Sequence, residues 1–130
     1  MALTLTTAAR NAACDAIVDL VDGGSTDASG DLVLMTSGDV EVATLVLSNP
    51  AFGAASSGVA TAATITSDSS ATGGTAALFK IVDRDNTEIW RGTVGTTGSG
   101  ADLEMSTTVI GAGDIVAVTA LTFTMPATEA

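Results

Sequence analysis

Apolar residues near the start of the chain recur with the spacing of an amphipathic helix. They fall at i, i+3, i+4 and i+7 positions across residues 7–21, which places them on one stripe. The stripe consists of Ala9, Ala13, Ala16, Ile17, Leu20 and Val21. The polar residues that fall outside it are Arg10, Asn11, Asp15, Asp19 and Asp22. The spacing predicts an N-terminal amphipathic α-helix over residues 7–21.

Residues at both ends of this segment support the same prediction. Thr6 or Thr7 can accept a hydrogen bond from an early helical amide, as a helix N-cap does. Gly23 and Gly24 supply a left-handed ending, which glycine adopts at low cost. We therefore expect the helix to begin near Thr7 and to end just before Gly23.

Beyond residue 30 the pattern changes to short apolar runs and alternation with a period of two. These segments are 32–35, 40–47, 59–66, 75–82, 87–94, 103–109 and 115–125. Turn residues separate them at the spacing typical of a sandwich or barrel. The pattern predicts a mainly β fold, a sandwich or barrel, over residues 31–126. With the helix it forms a single domain of residues 1–130.

The clearest hairpin lies within residues 76–94. Residues 83–86 form its turn, and Asn86 can take the positive φ that glycine often takes there. Phe79 shares one face of the first strand with Ile81, whereas Lys80 shares the other with further apolar residues. We expect an antiparallel pair whose first strand is central, with its outer face partly covered by the helix or by a subunit.

The last predicted strand contains a change of phase. Apolar residues alternate over 121–125, but Val116 and Val118 are out of phase with them by one residue. A bulge or bend near Thr119 and Ala120 would reconcile the two halves. Pro126 lacks a backbone donor and is expected to end the strand.

Charge narrows the range of partners. The chain has 4 Lys and Arg against 15 Asp and Glu, a formal net charge of -11. Such a chain repels nucleic-acid phosphates and anionic membranes, so we expect no direct nucleic-acid or membrane binding. The acidity fits either solubility in a salty medium or attraction to a basic partner. We also expect no secretory signal and no membrane span, because apolar runs stay well below about 18 residues.

The residue types needed for most catalytic sites are missing. The chain has no His and no Tyr, and its one cysteine, Cys14, falls within the predicted helix. Ser-His-Asp, Cys-His and ordinary zinc constellations are thereby excluded. The remaining acids that lie close in sequence are Asp83, Asp85, Glu88, Asp102 and Glu104. They are expected to be turn and solvent-face residues rather than a glycosidase pair or a calcium loop. We therefore predict no catalytic residue, no cofactor, no metal and no enzymatic activity.

Several segments resemble small proteins encoded among the structural genes of tailed bacteriophages. They are the start LTTAARNAACDAIVDLVDGG, the NPAFG segment, the run GTVGTTGSGADLEMSTT and the T-x-T-M-P ending. The resemblance implies a virion protein, most specifically a capsid cement or decoration protein. Several of these are β-sandwiches or jelly rolls, so together with the strand pattern we expect an antiparallel β-sandwich of the jelly-roll or Ig-like kind. Asn86 departs from the turn glycine common in such sequences, and the strong acidity departs as well.

The resemblance also implies partners and a location. We expect binding to the major capsid protein, self-association as a homo-oligomer, and a place on the virion capsid surface after synthesis in the host cytoplasm. The alternative is a tail or fibre β-sandwich module that binds another tail protein or a host surface carbohydrate through loops around Trp90, Asp85 and Asn86. The candidate interface residues are Leu3, Leu5, Trp90 and Met125.

Overall fold

One α-helix, α1 (Thr7–Asp19), opens the fold in the computed structural model, which describes residues 3–126. The Thr6 side chain caps it by accepting a hydrogen bond from the Ala9 amide at 3.1 Å. A single 3₁₀ turn (Leu20–Asp22) follows directly. The predicted position of the helix is confirmed. Of the two glycines predicted to supply the left-handed ending, Gly24 does so at φ 105°, whereas Gly23 is extended at φ -75° after the 3₁₀ turn.

The buried stripe of α1 differs from the predicted one. Cys14, Val18 and Val21 are buried, whereas Ala9, Ala16 and Leu20 are exposed. The prediction was wrong because it assigned the polar residues of this segment to solvent. Several of them instead bond to the rest of the chain, and these bonds fix the rotation of the helix about its axis.

We call Arg10, Asn11, Asp15 and Asp22 the helix clamp. Arg10 donates from Nε and Nη2 to the carbonyl oxygen of Met125, each at 3.1 Å. The other three accept backbone amides from the connection that follows the second strand. These pairs are Asn11 Oδ1 with Gly58 N at 2.7 Å, Asp15 Oδ1 with Ala55 N at 2.7 Å, and Asp22 Oδ1 with Ala51 N at 2.9 Å. The clamp gives loop amides the partners that secondary structure would otherwise supply.

A five-stranded sheet forms the largest part of the fold. In chain order its strands are β1 (Asp31–Met35), β2 (Glu41–Val46), β5 (Leu78–Val82), β6 (Glu88–Thr96) and β7 (Leu103–Met105). Their order across the sheet is β2-β1-β5-β6-β7, so β5 is central as predicted. The β5–β6 hairpin is antiparallel and Asn86 has φ 64°, both as predicted. The β6–β7 pair is parallel, which corrects the expectation of purely antiparallel pairing.

Two short antiparallel ladders complete the strands. β3 (Val59–Thr61) pairs with β9 (Thr122–Thr124), and β4 (Gly74–Thr75) pairs with β8 (Val109–Ile110). The predicted strands 59–66, 103–109 and 115–125 were therefore too long. No bulge forms near Thr119 and Ala120, because residues 111–121 form no strand and Val116 alone makes an isolated bridge, to Asp68. Alternation predicted a strand there, but the described chain supplies no continuous partner for one.

The main core lies on one face of the sheet. Cys14 and Val18 of α1 share it with fully buried sheet residues such as Leu32, Leu45 and Ile81. A separate small cluster of Val33, Met35 and Val82, with half-buried Leu78 against it, lies on the opposite face. The helix packs within the main core, so the expectation that it covers the outer face of β5 was wrong. Lys80 on that outer face is half-buried.

The helix clamp generates a stability prediction. Replacing Asp15 with Ala removes the acceptor of the Ala55 amide, and we expect a loss of about 1.5 kcal/mol in the free energy of unfolding. Asp19→Ala is the matched control, because Asp19 is exposed one turn later on the same helix. It should change stability by less than about 0.5 kcal/mol. Urea denaturation measures both, and equal midpoints for the two variants would contradict the clamp.

Candidate functional site

The carboxylates of the β5–β6 turn hold loops together. Asp83 Oδ1 accepts the amides of Asp85 and Thr87, each at 2.9 Å, and so closes the turn. Asp85 Oδ1 reaches across to accept the amides of Ser25 and Thr26, each at 2.9 Å. Gly24 permits this approach, because a Cβ there would lie 2.7 Å from the Asp85 carboxyl carbon. These acids are turn residues, as the sequence indicated.

The neighbouring charged groups are engaged as well. Glu88 forms an ion pair with Arg91 at 2.7 Å, and Arg91 also reaches Asp39 at 3.1 Å. The hydrogen bond from Arg91 lowers the pKa of Glu88, while these acidic partners raise the pKa of Arg91. Asn86 Nδ2 donates to Asp27 Oδ2 at 3.1 Å. The predicted acid cluster is thus divided among separate structural contacts.

Asp102 and Glu104 hold the β6–β7 connection. Asp102 Oδ2 accepts the amide of Thr93 at 2.9 Å and its hydroxyl at 3.0 Å, and these bonds lower the pKa of Asp102. Glu104 accepts the amides of Gly98 at 3.2 Å and Gly100 at 2.8 Å. Each carboxylate therefore serves a different part of the loop. Across residues 3–126, no three His, Cys, Asp or Glu side chains gather into a possible metal site.

Trp90 is half-buried rather than displayed on a loop. Its ring centroid lies 5.7 Å from that of Phe52 and 4.8 Å from that of Phe123, both in tilted contacts. A cleft of about 340 Å³ lies beside it, with Arg91 and Asp102 among its lining residues. Asp85 and Asn86 do not line this cleft. The structure therefore does not bring together the three residues of the predicted carbohydrate site.

The other three candidate interface residues occupy different surroundings. Leu3 is 64% exposed and Leu5 is 40% exposed, so both present apolar surface. Met125 is half-buried and packs against the main core, while its carbonyl oxygen accepts Arg10. Of the four predicted residues, Leu3 and Leu5 have the exposure that a partner-binding side chain needs.

Sequence reasoning missed a concave surface of the described chain, which we call the strand groove. It has a volume of about 440 Å³ and is lined by β7, the turn after it, β8 and residues 114–120. Two large apolar residues on it are strongly exposed, Val109 at 69% and Ile115 at 74%. The sequence feature that relates to this groove is the phase change at Val116 and Val118. It marks a segment that resembles a strand but has no continuous pairing partner.

The backbone beside the strand groove is open. Residues 117–120 make no backbone hydrogen bond with any other residue in the range 3–126. Burial still alternates as in a strand: Val116 is buried, Ala117 exposed, Val118 half-buried and Thr119 exposed. β7, on the other side, is an edge strand of the five-stranded sheet. Unpaired edges of this kind accept an added strand through main-chain hydrogen bonds.

The charge around the strand groove restricts what can enter it. Glu104 and Asp114 are among its lining residues, and none of the described lining residues is Lys or Arg. Asp114 Oδ2 accepts the Gly111 amide at 2.7 Å, which fixes the carboxylate there. An occupant with acidic side chains would face like charge, so the groove favours an uncharged or basic segment.

Comparisons with models of protein families, with curated proteins and with solved structures found no match for this chain. Within residues 3–126, the helix is too short and too polar to cross a membrane.

The pKa values of Asp85, which bonds to the loop 23–30, and of Asp31, which follows this loop in sequence, are shifted in opposite directions. Hydrogen bonds from the amides of Ser25 and Thr26 lower the pKa of Asp85 below its ordinary value of 3.8. Burial at the start of β1, and secondarily the charge of Asp27, raise the pKa of Asp31. The ionised form of Asp85 therefore stabilises the fold, whereas the ionised form of Asp31 opposes it.

Replacing each aspartate with Asn should thus change stability in opposite directions at pH 7. Asp85→Asn lowers the free energy of unfolding, and its deficit shrinks as the pH falls below 3.8 and Asp85 of the native chain becomes protonated. Asp31→Asn raises the free energy of unfolding, and its gain disappears at low pH, where Asp31 is neutral in both states. Urea titrations at pH 7 and pH 3 test the pair, and shifts of the same sign at pH 7 would contradict this assignment.

Proposed function

We propose that this chain is a non-enzymatic structural protein of a bacteriophage virion, a capsid cement or decoration protein that binds and stabilises the assembled head shell. Its partners are the major capsid protein and further copies of itself. It acts on the capsid surface after synthesis in the host cytoplasm. The observation that carries the proposal is the strand groove, a surface with open backbone and exposed apolar side chains suited to another chain.

The use of the carboxylates supports a structural role. Asp83, Asp85, Asp102 and Glu104 each accept backbone amides within loops, and Glu88 pairs with Arg91. The chain also has no His to serve as a base. The resemblance of its segments to phage structural proteins supplies the specific assignment to a virion.

The proposed mechanism is mass action on the assembled state. A protein that binds the intact shell, and binds its separated subunits less well, shifts the equilibrium toward the shell. Contacts repeated over many copies add their effects without a cofactor.

We further propose that the fold is a β-sandwich of the jelly-roll or Ig-like kind. In this proposal the β3–β9 and β4–β8 ladders form the second layer of the sandwich. Ala60 of β3 and Ile110 of β8 belong to the same buried cluster as Leu32 and Ile81 of the large sheet, which supports the assignment. This layer is interrupted where residues 111–121 form no strand.

A second candidate is a tail or fibre module that binds a host surface carbohydrate or another tail protein. The observation that favours it is the cleft beside Trp90, where Arg91 and Asp102 place polar groups next to an aromatic ring. Phe52 and Phe123 occupy much of the ring's surroundings, which leaves less of it for a sugar. We therefore rank this function below capsid binding.

The number of copies per particle separates the two functions. Quantitative mass spectrometry of purified virions should find hundreds of copies, because a cement protein covers repeated sites on the shell. Major capsid and tail-tube proteins in the same sample provide the internal standards. A handful of copies per particle would contradict capsid binding and favour the tail module.

Thermal release of DNA tests the stabilising role. Particles that lack the protein should release their genome at a lower temperature, and addition of the purified protein should restore the original midpoint. A dye that fluoresces on free DNA reports the transition. If particles with and without the protein have the same midpoint, the cement function is wrong.

A further inference from the structure

We propose that the strand groove binds residues 3–6 of a second copy, which we call the N-terminal arm, as an added β-strand. The inference names the partner segment for the self-association in the proposed function and rests on that part of it. It does not depend on capsid binding. Each copy would offer an arm to one neighbour and a groove to another.

The N-terminal arm has the features of a donated strand. Its sequence, Leu3-Thr4-Leu5-Thr6, alternates apolar and β-branched residues. Thr6 is extended, at φ -67° and ψ 158°, and Thr4 already forms an isolated β-bridge within its own chain, so a donated strand would use the other edge of the arm. In an extended segment Leu3 and Leu5 point to the same side, and both are exposed. The arm therefore presents one apolar face that the described fold leaves uncovered.

The strand groove has complementary features. Residues 117–120 offer amides and carbonyls that have no backbone partner within residues 3–126. Exposed Val109 and Ile115 provide an apolar surface for the two leucines. Main-chain hydrogen bonds and leucine burial would act together, as in other cases of strand addition.

Charge is compatible with the arm as the occupant. Two copies that each carry a net charge of -11 repel each other, and Glu104 and Asp114 line the groove, so an occupant without a carboxylate avoids further like-charge contact. The arm has no charged side chain. Direct pairing of residues 117–120 with their own symmetry mates would instead bring two copies of Asp114 and Glu104 to one interface. The uncharged arm avoids this repulsion.

The geometry of such an assembly is head-to-tail. Arm and groove are different surfaces, so each contact leaves one free arm and one free groove at the ends of a chain of copies. Contacts of this heterologous kind close into rings when the rotation between copies allows it. α1 begins directly after the arm and is fixed by the helix clamp, so the arm starts from a rigid base.

Disulfide trapping tests the pairing directly. A Leu5→Cys variant mixed with an Ala117→Cys variant should give a crosslinked heterodimer on mild oxidation, because strand addition brings the two positions together. The native Cys14 is fully buried and does not compete. Leu20→Cys mixed with Ala117→Cys is the control, because Leu20 is more exposed than Leu5, at 55% against 40%, but lies outside the arm. Equal crosslinking in both mixtures, or none in either, would overturn the proposal.

Self-association in solution provides an independent test. By sedimentation equilibrium, Leu3→Ser combined with Leu5→Ser should weaken assembly by about tenfold or more, because two leucines lose their burial. Leu20→Ser should leave assembly unchanged. Thr119→Pro should weaken it too, since the exposed Thr119 amide makes no bond within residues 3–126 but would pair with the arm. Circular dichroism verifies that each variant folds. If the proline variant does not fold, the leucine variants alone provide the test.

The outcomes separate this inference from the capsid function. A wild-type chain that stays monomeric at all concentrations, or an oligomer that the arm variants do not affect, would overturn arm exchange. Particles that lose heat resistance without the protein would still support the cement function in that case. Conversely, arm-dependent oligomers together with particles that need no protein for stability would support arm exchange and contradict the capsid role.

Discussion

The fold depends on polar side chains of one helix that satisfy distant backbone groups. Asn11 accepts a hydrogen bond from the amide of Gly58, and Arg10 donates one to the carbonyl oxygen of Met125. These groups adjoin the same end of the β3–β9 ladder, where Met125 N also donates to Gly58 O at 2.8 Å. The clamp therefore fixes the helix to the β3–β9 ladder and sets which face of the helix is buried. An unpartnered amide or carbonyl at this depth would cost free energy, so the contacts also restrict alternative packings.

The sequence predicted the elements whose determinants are local. The Thr6 cap, the Asn86 turn and the central position of β5 each follow from residues within a few positions of one another. The buried stripe of α1 did not, because the partners of Asn11, Asp15 and Arg10 lie 47, 40 and 115 residues away. Periodicity treats such polar residues as solvent-facing. It has no means of detecting that a loop amide 40 residues distant will need an acceptor.

The candidate site was predictable to a smaller extent. Leu3 and Leu5, two of the predicted interface residues, are exposed, which leaves their predicted role open, and the acids of the β5–β6 turn are structural as predicted. The strand groove was missed because it is defined by pairing that residues 117–120 lack, whereas a period-two pattern predicts only that a segment can form a strand. The structure accounts for the phase change between Val116 and Val118 on one side and residues 121–125 on the other. This segment alternates in burial like a strand while its backbone remains free for another chain.

A cryo-EM map of virions that contain the protein would test the central claim most directly, namely that the chain is a structural protein that assembles through its open edge. The account predicts many copies on the outer surface of the capsid. Each should have continuous density for an added strand beside residues 117–120, traceable to the N-terminal arm of the adjacent copy. A map with the protein confined to the tail, or with an empty groove in every shell-bound copy, would contradict the account.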